Sequence, residues 1–154
     1  MWYLIGRRGF TLLELLLTIA LLGLLAVGAI LLSPSISPSR LDAAAKQVVA
    51  AIQYAQQNAS TRSVTCGVQF LSGGAYTVYQ GTTTTPLADP LTKQNMIVTL
   101  ANRYPGISLS SNYTVEFNRM GIPTTGGGGN ITITDGSSTK TIQVTANTGT
   151  ALMQ

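Results

Sequence analysis

The side chains that could carry out chemistry are few and scattered along the chain. The 154 residues contain no histidine and a single cysteine, Cys66. The five acidic residues are Glu14, Asp42, Asp89, Glu116 and Asp135. Without histidine, a serine or cysteine nucleophile would need a lysine or an acid as its base, and no two of the acids adjoin in sequence. We therefore predict that the protein is not an enzyme and has no catalytic residue.

Sites for metals and small ligands are not indicated either. Calcium near Asp89 would need several oxygen ligands, and that stretch offers one acid. The four glycines at 126–129 lack the Lys-Ser/Thr pair and the helix that follow a phosphate-binding loop, so we interpret them as a flexible run. Cys66 is typical of a small buried hydrophobe. We expect no metal and no cofactor.

One acid lies in an unusual place. Glu14 is the only charged residue of the apolar segment 10–32, in a chain that is 45% hydrophobic and only 9% charged, against about 25% charged in an ordinary soluble domain. As a helix this segment would be about 35 Å long, enough for a bilayer core of about 30 Å. A carboxylate in a membrane segment costs about 2.5–3.5 kcal/mol, which makes Glu14 a functional candidate.

The residues before this segment predict its orientation. Arg7 and Arg8 keep the first nine residues cytoplasmic, so everything after Leu32 lies beyond the membrane. Three interpretations of the segment compete: a secretory signal cut after the small residues 27–29, a plain membrane anchor, or a helix in which Glu14 has a function.

The string from Gly9 to Glu14, Gly-Phe-Thr-Leu-Leu-Glu, resembles the processing site of type IV prepilins and type II secretion pseudopilins. The resemblance implies that prepilin peptidase cuts after Gly9 and that the new amine of Phe10 is methylated. Glu14 is then the fifth residue of the mature chain. The family implies that Glu14 of an incoming subunit pairs with the Phe10 amine of a neighbour, because either charge alone is costly in apolar surroundings.

The domain organisation follows from these segments. We predict a cleaved leader at 1–9, a transmembrane and fibre-core helix at 10–32, and an exported domain at 41–154. Between them, Pro34 and Pro38 each remove a helical donor, which predicts a kink or a short break between Ser33 and Ser39. A flexible linker over 33–40 is the alternative.

The exported domain begins with a helical period and continues with a period of two. An amphipathic helix is predicted over 41–60, with Asp42 and Lys46 as an i, i+4 ion pair, and a sheet over 63–146. The apolar face of the helix contains Leu41, Ala45, Val48, Ile52, Ala55 and Ala59. Six strands are predicted, at 64–70, 75–80, 95–101, 113–118, 130–134 and 140–146, with a hairpin turn at 135–138. The fold class is α+β: a long N-terminal helix, half membrane-spanning and half amphipathic, packed on an antiparallel sheet of about six short strands.

The exported domain resembles the GspH/FimT group of minor pilins and pseudopilins, and the related minor pilin of the mannose-sensitive haemagglutinin system. The helix end at 52–59, the segment 115–123 with its Phe117–Gly121 spacing, and the last hairpin carry this resemblance. It implies a structural subunit of a type IV pilus or type II secretion pseudopilus, and the sequence leaves the choice of machine open. It also implies these partners: prepilin peptidase, other pilin subunits in a helical filament, the inner-membrane assembly platform, and the bilayer before assembly. The implied location is the bacterial inner membrane, crossed once with the N-terminus cytoplasmic and the C-terminal domain periplasmic, and afterwards the fibre.

A DNA-binding minor pilin for natural transformation is the alternative within this group. Such proteins use arginines near the C-terminus, and this chain has no basic residue after Lys140. Arg103, Arg119 and Lys140 could still converge in space. Nucleic acid is nevertheless not the partner we expect, because the basic residues form no patch in the sequence.

Overall fold

The computed structural model describes residues 11–31 and 37–154. The chain divides into two compact units, Met1–Ser35 and Ile36–Gln154. All the buried apolar residues found in the described parts, from Leu41 to Ala151, belong to the second unit. This unit corresponds to the predicted exported domain and is called the exported unit, and it has a hydrophobic core of its own, as an independent domain does. Over the described residues, no helix combines the length and the apolarity needed to cross a membrane.

The first unit contains helix α1, Leu12–Leu31. Thr11 stands at its N-cap, since the Thr11 hydroxyl accepts a hydrogen bond from the backbone N–H of Glu14 at 3.3 Å. This satisfies one of the N–H groups that a helix start leaves without a partner. The predicted helix 10–32 is confirmed over 12–31, while Phe10 and Leu32 lie outside the described residues.

Helix α2, Ser37–Arg62, opens the exported unit. Its predicted apolar face is buried throughout, from Leu41 to Ala59. The helix ends where Ser63 adopts a left-handed φ of 55° and the Val64 N–H donates to the Ala59 carbonyl at 3.2 Å, which is how a helix C-terminus satisfies its last carbonyls. Because the Val64 N–H is used to end the helix, the first strand starts at Cys66 and not at Val64 as predicted. Of the predicted kink or linker at 33–40, residues 33–36 lie outside the described part and 37–40 form the first turn of α2.

Two antiparallel sheets pack against α2. The first has five strands in the order β3-β2-β1-β5-β6, and the second has four in the order β4-β7-β8-β9. Sheet one contains β1 (Cys66–Leu71), β2 (Ala75–Gln80), β3 (Ile97–Thr99), β5 (Tyr113–Phe117) and β6 (Pro123–Thr125). Sheet two contains β4 (Ser108–Leu109), β7 (Asn130–Thr134), β8 (Thr139–Val144) and β9 (Ala151–Met153).

The α+β class is confirmed, and the strands are more numerous than predicted. Three were missed, β4, β6 and β9, and each has only two or three residues, too few for a period of two to be visible. The predicted strand 95–101 ends early at Thr99, because Leu100 turns into the short helix α3, Leu100–Arg103. The Leu100 N–H donates to the Gly74 carbonyl at 2.8 Å, and the side chain is fully buried.

The glycine run at 126–129 is packed, which corrects the expectation of a flexible segment. The Tyr113 hydroxyl donates to the Gly126 carbonyl. A Cβ on Gly129 would lie 2.6 Å from the Tyr113 ring, and one on Gly127 would lie 2.9 Å from the Ala146 carbonyl oxygen. Glycine is required here because the backbone passes against the Tyr113 ring of β5 and against the backbone at Ala146, after β8.

Candidate functional site

Of the predicted site residues, Glu14 is the one that the structure describes. Gly9, Phe10, Arg7 and Arg8 lie outside the described residues. Glu14 is the third residue of α1, its side chain is exposed, and its N–H is held by Thr11. The Thr11–Glu14 spacing is that of a capping box, in which the carboxylate at the third helical position can accept a hydrogen bond from the backbone N–H of the N-cap residue. This spacing is visible in the sequence and is the signal from which a capping role of Glu14 can be predicted.

The described side chains of α1, residues 12–23, are all exposed. Leu12 is 79% exposed and Leu22 is 66% exposed, and the helix carries no charge apart from Glu14. An apolar helix with this much surface in water is unfavourable, at about 25 cal/mol per Å².

The exported unit carries a groove of about 710 Å³ beside α2. One wall is a face of α2 that runs from Ala43 to Gln57, and the other is made by residues 89–104. The Gln47 amide donates to the Tyr76 hydroxyl at 3.0 Å, and the Tyr54 hydroxyl donates to the Ala88 carbonyl at 2.9 Å. These two bonds fasten the helix to the sheet and to the opposite wall, so the groove is preformed.

Asp42 holds two lysines near one end of the groove. Its carboxylate lies 2.7 Å from the Lys46 Nζ and 2.6 Å from the Lys140 Nζ. The first pair is the predicted i, i+4 pair, and the second joins α2 to β8. The hydrogen bonds from Lys140 and then Lys46 lower the pKa of Asp42 to about 2. Of these three residues, Lys46 is the one that lines the groove.

Asp89 organises the loop at the opposite wall. Its Oδ1 accepts from the N–H groups of Leu91, at 2.7 Å, and Thr92, at 3.1 Å. These backbone hydrogen bonds lower the pKa of the Asp89 carboxyl, with smaller effects from Arg103 and Lys93. Within the described residues there is no group of three or more His, Cys, Asp or Glu side chains that could hold a metal ion.

The basic residues considered for DNA do not form one patch. Lys140 forms an ion pair with Asp42. The position of Arg119 follows from Gly121, two residues later, whose carbonyl accepts a hydrogen bond from the Gln56 side-chain amide at 2.8 Å. Asp42 and Gln56 are about 21 Å apart along α2, at 1.5 Å per residue. Lys140 and Arg119 are therefore attached near different ends of this helix.

The Phe117–Gly121 segment is a rigid turn. Phe117 is fully buried, and the Asn118 side chain accepts from the N–H groups of Met120 and Ile122 at 2.9 and 3.0 Å. Gly121 has a φ of +75°, which favours glycine. The Gln56 amide also donates to the Thr148 carbonyl at 2.6 Å, so one side chain of α2 joins turns from both sheets. The sequence indicated the Phe117–Gly121 spacing, but it did not indicate that Gln56 binds this turn and the turn at Thr148.

Cys66 is fully buried in the core, as predicted. Burial raises the pKa of its thiol, which leaves it protonated at neutral pH and poorly nucleophilic.

Two family models match the chain. Type II transport protein GspH matches residues 44–150, and the prokaryotic N-terminal methylation motif matches residues 5–30. No curated protein matches the chain significantly. Two crystal structures of the type IV minor pilin FimU from Pseudomonas aeruginosa are similar to it, both with a TM-score of 0.52 and 15% identity. The alignments cover 74% and 79% of this chain and 92% and 91% of the FimU chains. At this identity the likeness establishes the fold.

Proposed function

The chain belongs to the GspH family of type II transport proteins and carries a prokaryotic N-terminal methylation motif, and from this premise we propose that it is a structural subunit of a type IV pilus or type II secretion pseudopilus. The observation that carries the proposal is helix α1, whose described side chains are apolar apart from Glu14 and Thr18 and are all exposed. Such a helix suits a fibre core, where helices of neighbouring subunits surround it. A repeated head-to-tail contact that does not close produces a filament.

We further propose the order of events at the N-terminus. Arg7 and Arg8 hold the leader in the cytoplasm, and the apolar segment 10–32, which extends past both described ends of α1, holds the subunit in the inner membrane with the exported unit in the periplasm. Prepilin peptidase cuts after Gly9, Phe10 is methylated on its amine, and an assembly platform moves the subunit into the fibre. There Glu14 pairs with the Phe10 amine of a neighbour and sets the axial register, because neither charge is stable alone in apolar surroundings.

Mass spectrometry of the mature N-terminus tests the first step. We expect a chain that begins at methylated Phe10. A chain that begins at Ile30 would support the secretory signal instead, and an uncut chain would support a plain anchor.

A further inference from the structure

We infer that the groove between α2 and residues 89–104 binds an extended segment of a different protein, and that this segment presents a carboxylate flanked by apolar side chains. The inference concerns the exported unit alone and does not depend on assembly through α1.

The shape of the groove favours a chain in extended form. Its α2 wall runs from Ala43 to Gln57, a distance of about 21 Å at 1.5 Å per residue. Six residues of extended chain cover about 20 Å. The α2 wall includes the small residues Ala43 and Ala50, which let a second backbone approach closely, and the bonds from Gln47 and Tyr54 keep the walls in place without a ligand. A preformed site lowers the entropic cost of binding.

The charges of the groove favour an acid. Among the described residues the ion pairs are Asp42 with Lys46 and Asp42 with Lys140, so Arg103, an exposed lining residue, has no ion-pair partner there. Lys46 shares its single acid with Lys140, which leaves part of its charge available. The Asp89 Oδ1 is held by two N–H groups of its own loop. Asp89 is near enough for its charge to interact with Arg103, but the two form no ion pair, so the guanidinium is available to bind a carboxylate by two parallel hydrogen bonds.

Apolar side chains complete the wall around these cations. Leu91 is 90% exposed at the rim, and Met96 and Val98 line the groove half-buried. This composition differs from a polyanion site, where several cations follow the phosphates, because Lys46 and Arg103 are the only lysine and arginine among the described lining residues. A peptide that alternates apolar and acidic side chains would match both features of the groove.

A second copy of this chain is a poor occupant, because its own acids are engaged. Asp42 binds two lysines, Asp89 lies in the groove itself, Glu116 accepts from the Thr125 hydroxyl at 3.3 Å, and Asp135 accepts from its own turn. The fifth acid, Glu14, lies in helix α1 and so is not presented by an extended segment. The carboxylate must therefore come from another protein.

The test measures binding of defined peptides to the full chain in dodecyl maltoside by fluorescence anisotropy. The probe is a rhodamine-labelled hexapeptide, Ala-Leu-Glu-Ile-Ala-Ser, and its matched control has Gln in place of Glu. We expect the Glu peptide to bind about tenfold more tightly, the effect of one charge-assisted hydrogen-bonded pair. Adsorption to micelles cannot produce this preference, because the Gln peptide is the less polar of the two.

Substitutions then locate the site. Arg103→Glu should reduce affinity for the Glu peptide at least tenfold and remove the preference over Gln, and Asp89→Asn should increase affinity. Arg119→Glu makes the same charge change outside the groove and should leave affinity unchanged. Equal binding of the two peptides, or an equal loss with Arg119→Glu, would overturn the inference. So would tighter binding of a twelve-nucleotide DNA strand, which would identify a polyanion surface. Displacement of the peptide by an excess of the Arg103→Glu chain, which does not itself hold the peptide, would identify a second copy and would also overturn the inference.

Discussion

At the scale of single residues, Asp42 shows how the fold adds to a pair already visible in the sequence. Its local partner is Lys46, and the sheet brings Lys140 to its other oxygen. Because the pKa is lowered from 3.8 to about 2 in the folded protein, the ionised carboxylate stabilises the fold above pH 3.8. That contribution is lost as the pH falls from about 3.8 to about 2.

A carbon-detected NMR titration of the Asp42 carboxyl can check this assignment. We expect a midpoint at about pH 2. Lys140→Gln should raise the midpoint more than Lys46→Gln does, because the hydrogen bond from Lys140 is the larger cause. A midpoint near 3.8 in the unmodified protein would show that the two ion pairs do not persist in solution.

Gln56 is a second residue whose role depends on the fold. Its amide donates to the carbonyls of Gly121 and Thr148, and Gln56→Ala leaves both without this donor. We expect the free energy of unfolding to fall by about 1–2 kcal/mol, at about 1 kcal/mol for each hydrogen bond, as measured by urea denaturation.

The matched control for Gln56 is its neighbour on α2. The Gln57 side chain is exposed, so Gln57→Ala should change the free energy of unfolding by less than about 0.5 kcal/mol. Similar losses of unfolding free energy in the two variants would mean that the hydrogen bonds from Gln56 to Gly121 and Thr148 contribute nothing beyond the effect of replacing a glutamine of α2 by alanine.

At the scale of elements, sheet one depends on a close contact at its centre. A Cβ on Gly67 of β1 would lie 2.6 Å from the Tyr79 hydroxyl oxygen and 2.7 Å from the Val115 carbonyl oxygen, so both neighbouring strands, β2 and β5, restrict this position. We expect Gly67→Ala to lower the free energy of unfolding by about 1–3 kcal/mol through overpacking.

Gln69→Ala is the control for this contact, since Gln69 lies two residues along β1 on the same face of the sheet. Its side chain is half-buried, so its truncation should lower the free energy of unfolding by less than about 1 kcal/mol. If thermal unfolding shows the two variants to be equally stable, the approach of Tyr79 to β1 is looser than these distances indicate.

At the scale of the whole molecule, Glu14 is the residue that we propose connects the subunit to its neighbours. Glu14 has two possible roles. Its charge can pair with the Phe10 amine of a neighbour, or its side chain can complete a capping box with Thr11. Glu14→Gln retains the capping chemistry and removes the charge, whereas Glu14→Ala removes both.

If charge pairing governs assembly, both variants should be inserted and processed but should enter the fibre poorly, at a tenth of the normal amount or less. Quantitative immunoblotting of sheared fibres against the membrane fraction measures this ratio, with Glu116→Gln in the exported unit as the control. Normal incorporation of Glu14→Gln would assign the residue to helix capping alone.

The accuracy of the sequence-based predictions follows the length of each element. Helix α2 and strands β2 and β7 were predicted closely because a buried face repeats over at least five residues, as from Leu41 to Ala59. The two- and three-residue strands carry no detectable period, and the turn at Leu100 depends on a hydrogen bond to Gly74, a residue distant in sequence. The glycine run was misjudged because the sequence does not show what packs against it.

The sequence by itself determined the N-terminal segment and the class of fold. A processing motif, an apolar run with one acid and an amphipathic helix are local patterns, since each depends on residues adjacent along the chain or one turn apart. Only the tertiary structure brought Lys140 to Asp42, joined two turns through Gln56, and placed Arg103 and Lys46 along the same groove. These arrangements combine residues 57 or more positions apart in sequence, and sheet order and register, which no local pattern encodes, decide which residues come together.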